Sequence, residues 1–275
     1  MIKLIIHCSD IHIRNVQRHE EYAEQLTKFI NKCKELAEPY ERDEVRILIA
    51  GDLVHQKLIV SNELFSFTSI FIRNLESIAQ VLVISGNHDL LVDNKSKKDT
   101  MSALFETAAF QNSIFIDSLL GYKSGTIIDD NVIWALYSIY DDFKRPDIET
   151  AIMENPDCKV IGLYHGPVCG VTLNNGMVYN EETTDGNMFE GCDVVMAGDI
   201  HKRQTIKKGD VNIVYPGSLI QQTYGETITQ HGFAAWNVET MTPTFIDLET
   251  DYGLYDFEIK DIDDIDNDKE ILLNY

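Results

Sequence analysis

Positive charge is scarce in this chain of 275 residues: 23 Lys and Arg stand against 45 Asp and Glu, a formal net charge of -22. Phosphate backbones are usually met by Lys and Arg, so the balance argues at first sight against a nucleic-acid ligand. Part of the deficit is local, because Asp247 to Glu270 holds eleven acids and two bases. The five cysteines, Cys8, Cys33, Cys158, Cys169 and Cys192, are odd in number and include no CxxC pair. That argues against a cysteine zinc site or a dithiol redox motif and leaves free thiols in a reducing compartment. Long apolar runs are missing too: nothing approaches the roughly 18 residues a membrane helix needs. The first apolar stretch, Leu4 to Ile6, meets Asp10 too soon for a signal peptide. A cytoplasmic protein with no membrane segment is expected. There is no internal repeat and no low-complexity linker. The acidic stretch Asp261 to Asp268 is the one candidate boundary, and it reads most simply as a solvated tail.

With 44% hydrophobic and 25% charged residues, the chain can bury one sizeable core. Lys3 to Ser9 reads as a buried strand. Tyr22, Leu26, Phe29, Ile30, Cys33 and Leu36 then recur at helical spacing, Val45 to Ala50 is a second buried strand, and Leu64, Thr68, Phe71, Ile72, Leu75 and Ile78 mark a second helix ahead of the strand Val81 to Ser85. The order βαβαβ points to a layered α/β sheet. Asp99 is placed to cap a short helix, Pro146 to open another, and short strands are expected at 113–116, 126–128, 132–136, 159–163 and 193–197. From Thr205 onward the pattern is mostly β, with turns at Lys208-Gly209-Asp210 and Pro216-Gly217.

The chemistry gathers where buried strands end: Asp10-Ile11-His12, Gly51-Asp52, Gly86-Asn87-His88-Asp89, Tyr164-His165-Gly166 and Gly198-Asp199-Ile200-His201. Ligands of open α/β sheets collect at the carboxyl ends of strands. Phosphodiester cleavage asks for such donors, because two divalent cations roughly 3.5 to 4 Å apart can generate a nucleophile at neutral pH and clamp phosphate oxygens. The clusters offer four Asp, one Asn and four His, enough for two metals with one His and one Asp to spare. Asp10 with His12, or Gly51-Asp52, is a weak signal alone, Gly86-Asn87-His88-Asp89 straight after a buried strand is a strong one, and the set of five is stronger still. His7, inside the first strand, reads as a hydrogen-bonded core histidine, and His19 and His231 carry no functional signal.

These blocks, in this order from Lys3 to about Glu239, resemble the calcineurin-like metallophosphoesterases, and within them the SbcD-like recombination and repair nucleases, including phage-type exonuclease subunits. The more specific marks are His7-Cys8-Ser9-Asp10-Ile11-His12, Gly51-Asp52-Leu53-Val54-His55, and the late run Tyr215-Pro216-Gly217-Ser218-Leu219 with Gly225-Glu226 and His231-Gly232-Phe233. Protein phosphatases of the superfamily carry Asp-Arg-Gly after the second aspartate, where this chain has His55-Gln56-Lys57.

The resemblance implies a four-layer αββα sandwich of two mixed β-sheets with flanking helices. It implies Mn2+-dependent DNA exonuclease and endonuclease activity, with Mg2+ as the alternative metal, and partnership with an SbcC-like ATPase of the SMC type. It also implies a homodimer formed through helices in the region of the second helix, where Phe65 and Phe67 fall beside the main apolar face, and the host cytoplasm if the chain is phage-encoded. Asp10, His12 and His201 would hold one metal, Asn87, His165 and Asp199 the other, and Asp52 would bridge them. His88 would protonate the leaving oxygen or stabilise the transition state, with Asp89 orienting it and His55 helping to place the DNA strand. Asp199 stands where the pattern Gly-His-x-His has a histidine. Three carboxylates against four positive charges harden the site toward Mn or Mg and away from Zn.

Arg14, Arg18, Lys95, Lys97, Lys98, Lys202 and Arg203 follow ligand blocks and are candidates for DNA phosphate contacts on one rim. Residues 1–242 are expected to form the nuclease domain, and 243–275 the start of a short capping segment or an acidic tail, in a chain that is naturally small or truncated. The rival readings are a phosphodiesterase acting on nucleotides or other small molecules and a non-catalytic DNA-end-binding scaffold.

Overall fold

The computed structural model describes residues 1–57, 60–91, 94, 96–180 and 187–255. Two six-stranded sheets are stacked face to face. In chain order the elements are β1 (Leu4–Cys8), α1 (His19–Ala37), β2 (Val45–Ala50), α2 (Asn62–Glu76), β3 (Gln80–Ile84), α3 (Thr100–Thr107), β4 (Ser113–Phe115), α4 (Ile116–Leu119), β5 (Gly125–Asp129), β6 (Val132–Tyr137), α5 (Ile148–Glu154), β7 (Lys159–His165), β8 (Val194–Gly198), β9 (Gln204–Lys208), β10 (Val211–Tyr215), β11 (Gly232–Asn237) and β12 (Thr242–Asp247). The first sheet runs β12-β11-β1-β2-β3-β4 and the second β5-β6-β7-β8-β10-β9. Each has a parallel run, β1 to β4 in one and β6, β7, β8 and β10 in the other; antiparallel pairing adds β11 and β12 on one side of the first and β5 and β9 at the two edges of the second.

The central strands read as continuous apolar runs because both their faces are covered. In β2, Val45, Ile47 and Ile49 face the helices while Leu48 and Ala50 face the other sheet. Three cores follow from this alternation. One packs Tyr22, Phe29, Leu64 and Phe71 of α1 and α2 on the first sheet. One lies between the sheets and holds Trp134 and Trp236. The third packs Ile148 and Ala151 of α5, with Phe189, on the second sheet. The layers are therefore αββα. Each fully buried Leu, Ile or Phe contributes about 1.5–3 kcal/mol of transfer free energy, so the inter-sheet layer sets the spacing at which residues of the two sheets meet.

Local signals hold where the chemistry is local. Ser61 caps α2 through the Leu64 N–H, Asp99 caps α3 through the Ser102 N–H, and Asp147, just after Pro146, caps α5 through the Thr150 N–H. The boundary expected at residue 243 falls inside the sheet: β12 pairs with β11 along its whole length, Leu248 is buried, and Leu254 donates its N–H to Gln221 at 2.7 Å. Residues 256–275, most of the acidic stretch, lie outside the described residues. His7 is buried as expected, but no hydrogen bond of ordinary geometry reaches either ring nitrogen, and burial pushes its pKa down to about 3. Among the described residues no helix is long and apolar enough to cross a membrane.

Candidate metal centre

All five donor clusters come together at one edge of the sandwich, at the carboxyl ends of β1, β2 and β3 in the first sheet and of β7 and β8 in the second. The turns after β1 and β2 run side by side, with the Asp10 N–H on the Gly51 carbonyl at 3.2 Å and the His12 N–H on the Asp52 carbonyl at 2.9 Å. Asp10, His12, Asp52 and Asp199 all sit in the left-handed backbone region, with φ of 53°, 52°, 53° and 87°. Non-glycine residues there cost of order 1–3 kcal/mol each, and such strain collects where side chains must be aimed at a ligand. Gly51 and Gly86 allow the close approach: a Cβ on Gly51 would lie 2.2 Å from His165 Nδ1, and one on Gly86 would lie 2.1 Å from Asp52 Oδ1.

Asp52 is central. Its Oδ2 lies 3.5 Å from His12 Nε2 and its Oδ1 lies 3.4 Å from His165 Nε2, so the two carboxylate oxygens face two different imidazoles. Around Oδ2, His12 Nε2 and His201 Nε2 are 3.0 Å apart, and Asp10 Oδ1 is 3.9 Å from His201 Nε2. Around Oδ1, Asp199 Oδ1 is 3.9 Å from His165 Nε2 and 3.4 Å from the Asn87 amide nitrogen. Asp10, His12 and His201 form one group that could hold a metal ion, and Asp10, Asp52 and His165 another.

The donor chemistry fits metal ions in both places. His165 donates from Nδ1 to the Ala50 carbonyl at 2.7 Å, which orients the ring with Nε2 toward the site. That Nε2 and the Asn87 Oδ1 are buried without a hydrogen-bond partner among the described residues, a costly state that a bound ion would relieve. The charge balance agrees. Burial opposes a charged His165, yet the Asp52 carboxylate outweighs it and holds the imidazole well above its ordinary range. Burial likewise opposes ionised Asp52, and His165 with His12 still holds its carboxyl below the usual range. Burial raises the Asp199 pKa to about 6 against the pull of His165. The pocket is short of positive charge.

His201 is fastened from behind. Its Nδ1 lies 2.8 Å from Glu226 Oε1, and against the effect of burial that carboxylate raises the His201 pKa to about 9. Glu226 also accepts the Ser218 hydroxyl at 3.2 Å and the Gln222 N–H at 2.9 Å, and Ser218 meets His231 Nδ1 at 3.0 Å. The reading of the sequence missed Glu226 and gave His231 no function. The adjacent Gly225-Glu226 was recognised only as a mark of resemblance, and nothing local shows that the carboxylate reaches a histidine 25 residues earlier.

His88 and His55 cap the site on the first-sheet side. The His88 ring sits 4.7 Å from that of His12, edge-on, and stacks on His55 at 5.1 Å. His88 Nδ1 bonds the His55 carbonyl at 2.9 Å. The expected role of Asp89 does not match this geometry. Asp89 is fully buried and accepts the backbone N–H groups of Asp52, Gly86 and Val54 at 2.9, 2.9 and 3.1 Å. It ties the turn after β3 to the turn after β2, while the His55 carbonyl orients His88.

The basic rim is thinner than the sequence promises. Arg18 forks onto Glu21, Arg203 is held by Asp247 and lies 5.0 Å over the Phe245 ring, and Lys98 pairs with Glu106. Each of these charges is already answered. Arg14 sits near enough to His55 to help burial lower that imidazole's pKa to about 4, and its guanidinium donates to the Gln222 carbonyl at 3.4 Å. Lys97 and Lys202 are exposed, without an ion pair among the described residues, and Lys95 lies outside them.

Two stacked mixed sheets with paired donor groups at their shared edge define a class, the dinuclear metallohydrolases. The chain belongs to the calcineurin-like phosphoesterase family, whose model matches residues 3–203. That family uses a dinuclear metal site, and the donor groups at the edge of the sandwich are of the kind that could hold one. It is 35% identical over 94% of its length to the uncharacterized protein R555 of Acanthamoeba polyphaga mimivirus, and spans 19% of that protein. It is 25% identical to the SbcD component of the nuclease SbcCD from Staphylococcus saprophyticus, over 89% of this chain and 69% of the relative. Among solved structures, GAP50, the anchor in the inner membrane complex of Plasmodium, superposes with a TM-score of 0.52 at 9% identity, over 90% of this chain and 89% of that one, a likeness of fold.

Proposed function

We propose that the protein is a DNA nuclease, a Mn2+-dependent phosphodiesterase of recombination, repair or replication that works with an SbcC-like SMC-type ATPase. The observation that carries the two-metal part is Asp52, whose two oxygens face separate imidazoles across the site. What favours DNA is the similarity to a component of an SbcCD nuclease, together with His55 and Arg14 beside the site in place of the protein-phosphatase Asp-Arg-Gly.

In this reading Asp10, His12 and His201 would hold one ion, Asn87, His165 and Asp199 the other, and Asp52 would contribute to both. Bound there, the ions supply a nucleophile at neutral pH and neutralise the phosphate oxygens. Asp52 also accepts the His88 backbone N–H at 2.8 Å, which ties the His88 backbone to the carboxylate at the centre of the site. With Nδ1 committed to the His55 carbonyl, His88 Nε2 is the atom that hands a proton to the leaving oxygen. Arg14 meets a backbone phosphate. The homodimer uses α2, where Phe65 and Phe67 pack inward and Ile70 stays exposed.

The test incubates linear double-stranded and single-stranded DNA with the purified protein in Mn2+, Mg2+ or chelator, beside Asp52→Ala and His88→Ala. Degradation in Mn2+ that chelator and both substitutions abolish is the expected result. Hydrolysis of a small phosphodiester with DNA left intact would move the reading to a small-molecule phosphodiesterase. DNA binding without hydrolysis of either would leave an end-binding scaffold.

A further inference from the structure

Two buried tyrosines reach the metal centre from opposite sides without belonging to its donor set. Tyr22 of α1 lies in the core that α1 and α2 cover, and Tyr215, at the end of β10, lies in the core on the outer face of the second sheet. Both are fully buried. The Tyr22 hydroxyl donates to the His12 carbonyl at 2.5 Å. The Tyr215 hydroxyl donates at 2.8 Å to the carbonyl of Gly166, the residue after His165. Burial pushes both phenols up, so each keeps the proton it donates. Tyr215 opens the run Tyr215-Pro216-Gly217-Ser218-Leu219, yet its side chain has no part in the site as described so far.

The same two residues are held alike through their N–H groups. The His12 N–H meets the Asp52 carbonyl at 2.9 Å, and the Gly166 N–H meets the carbonyl of Gly198, just before Asp199, at 3.3 Å. Tyr22 therefore fixes the residue that joins the turns after β1 and β2, which carry Asp10, His12 and Asp52. Tyr215 fixes the residue that joins the turns after β7 and β8, which carry His165 and Asp199. A left-handed residue such as His12, with φ of 52°, persists only where its surroundings over-determine it, and a buried carbonyl left without its donor is costly. We infer that Tyr22 and Tyr215 are positioning residues, one for each ion: Tyr22 sets the ligands of the first ion through His12, and Tyr215 those of the second through Gly166. Each hydroxyl then governs one affinity and leaves the other alone. This rests on the two-ion reading and deepens it.

Tyr22→Phe and Tyr215→Phe keep the rings in their cores and remove only the hydroxyls. Calorimetric titration of the full chain with Mn2+, in the absence of DNA, reads the two affinities directly. Each variant should lower one affinity roughly tenfold, as loss of a partner outside the ligand shell does, and leave the other unchanged. The double variant should lower both. Combined with Glu226→Gln, which withdraws the carboxylate behind His201, Tyr22→Phe should weaken the same ion further and Tyr215→Phe the other ion. Tyr137→Phe removes a hydroxyl bonded to the Met188 carbonyl at 2.9 Å, away from the donor turns, and should change neither affinity. Either variant with both affinities at wild-type values, one variant that lowers both together, or an equal loss in Tyr137→Phe would overturn the inference and leave the two-ion reading standing. A wild-type protein that binds fewer than two ions would sink that reading and this inference with it.

Discussion

On one flank of the metal centre, the turns after β1, β2 and β3 bring the rings of His12, His55 and His88 against one another, with Arg14 close by. On the other, residues 173–175 and 223–226 offer amides, hydroxyls and an exposed tyrosine, with no Lys or Arg among the described residues that line the groove between them. The difference bears on the net charge of -22. An acidic protein needs few cations to hold DNA if metal ions meet the reacting phosphate and only one flank touches the rest of the backbone.

The comparison breaks most severely at the residue the flanks share. Asp52→Ala should lower phosphodiester hydrolysis by about three decades, since metal charge supplies several kcal/mol to the transition state. Calorimetry should show Mn2+ affinity lost with it, and a variant that still binds two ions would disprove the bridging role. His88→Ala tests the first flank alone: kcat should fall roughly a hundredfold or more, as for loss of a general acid, with Mn2+ affinity unchanged.

Glu226→Gln tests the support behind the second flank. Loss of a carboxylate behind a ligating histidine costs about ten- to a hundredfold in metal affinity. The pH dependence sharpens this. Glu226 raises the His201 pKa to about 9, so in the metal-free protein a proton occupies the ring below that value and an incoming ion must displace it. Mn2+ affinity in calorimetric titrations should therefore rise with pH up to about 9 and level off above, and in Glu226→Gln the levelling should move to lower pH. The smallest effect belongs to Arg14→Ala, which should weaken DNA binding and reduce the slope of log affinity against log salt by about 1. Arg18→Ala and Arg203→Ala should leave that slope unchanged, because Glu21 and Asp247 already occupy those guanidinium groups.

Much of this was legible in the chain because it is written locally. Alternation in β2 and helical spacing in α1 and α2 mark the sheet and its cover, and each donor cluster follows a buried strand within a few residues. What was not legible depends on direction and distance. Asp89 adjoins His88, yet its carboxylate turns back to three backbone N–H groups on other turns. Arg203 looks like a rim cation until Asp247, 44 residues later, closes on it. Glu226 reaches His201 only because the segment after β10 folds back over the site. Thr242–Asp247 likewise alternates weakly as an edge strand, and its pairing with β11 is what makes it part of the sheet.

The most direct test of the account is the number of metal ions the protein holds. Titration with Mn2+ at pH 8, followed by calorimetry and by metal analysis of the dialysed protein, should give two ions per chain in the wild type, one of them weakened in Glu226→Gln and both lost in Asp52→Ala. A single ion, or binding that Asp52→Ala leaves intact, would contradict a centre built across both sheets on one shared carboxylate.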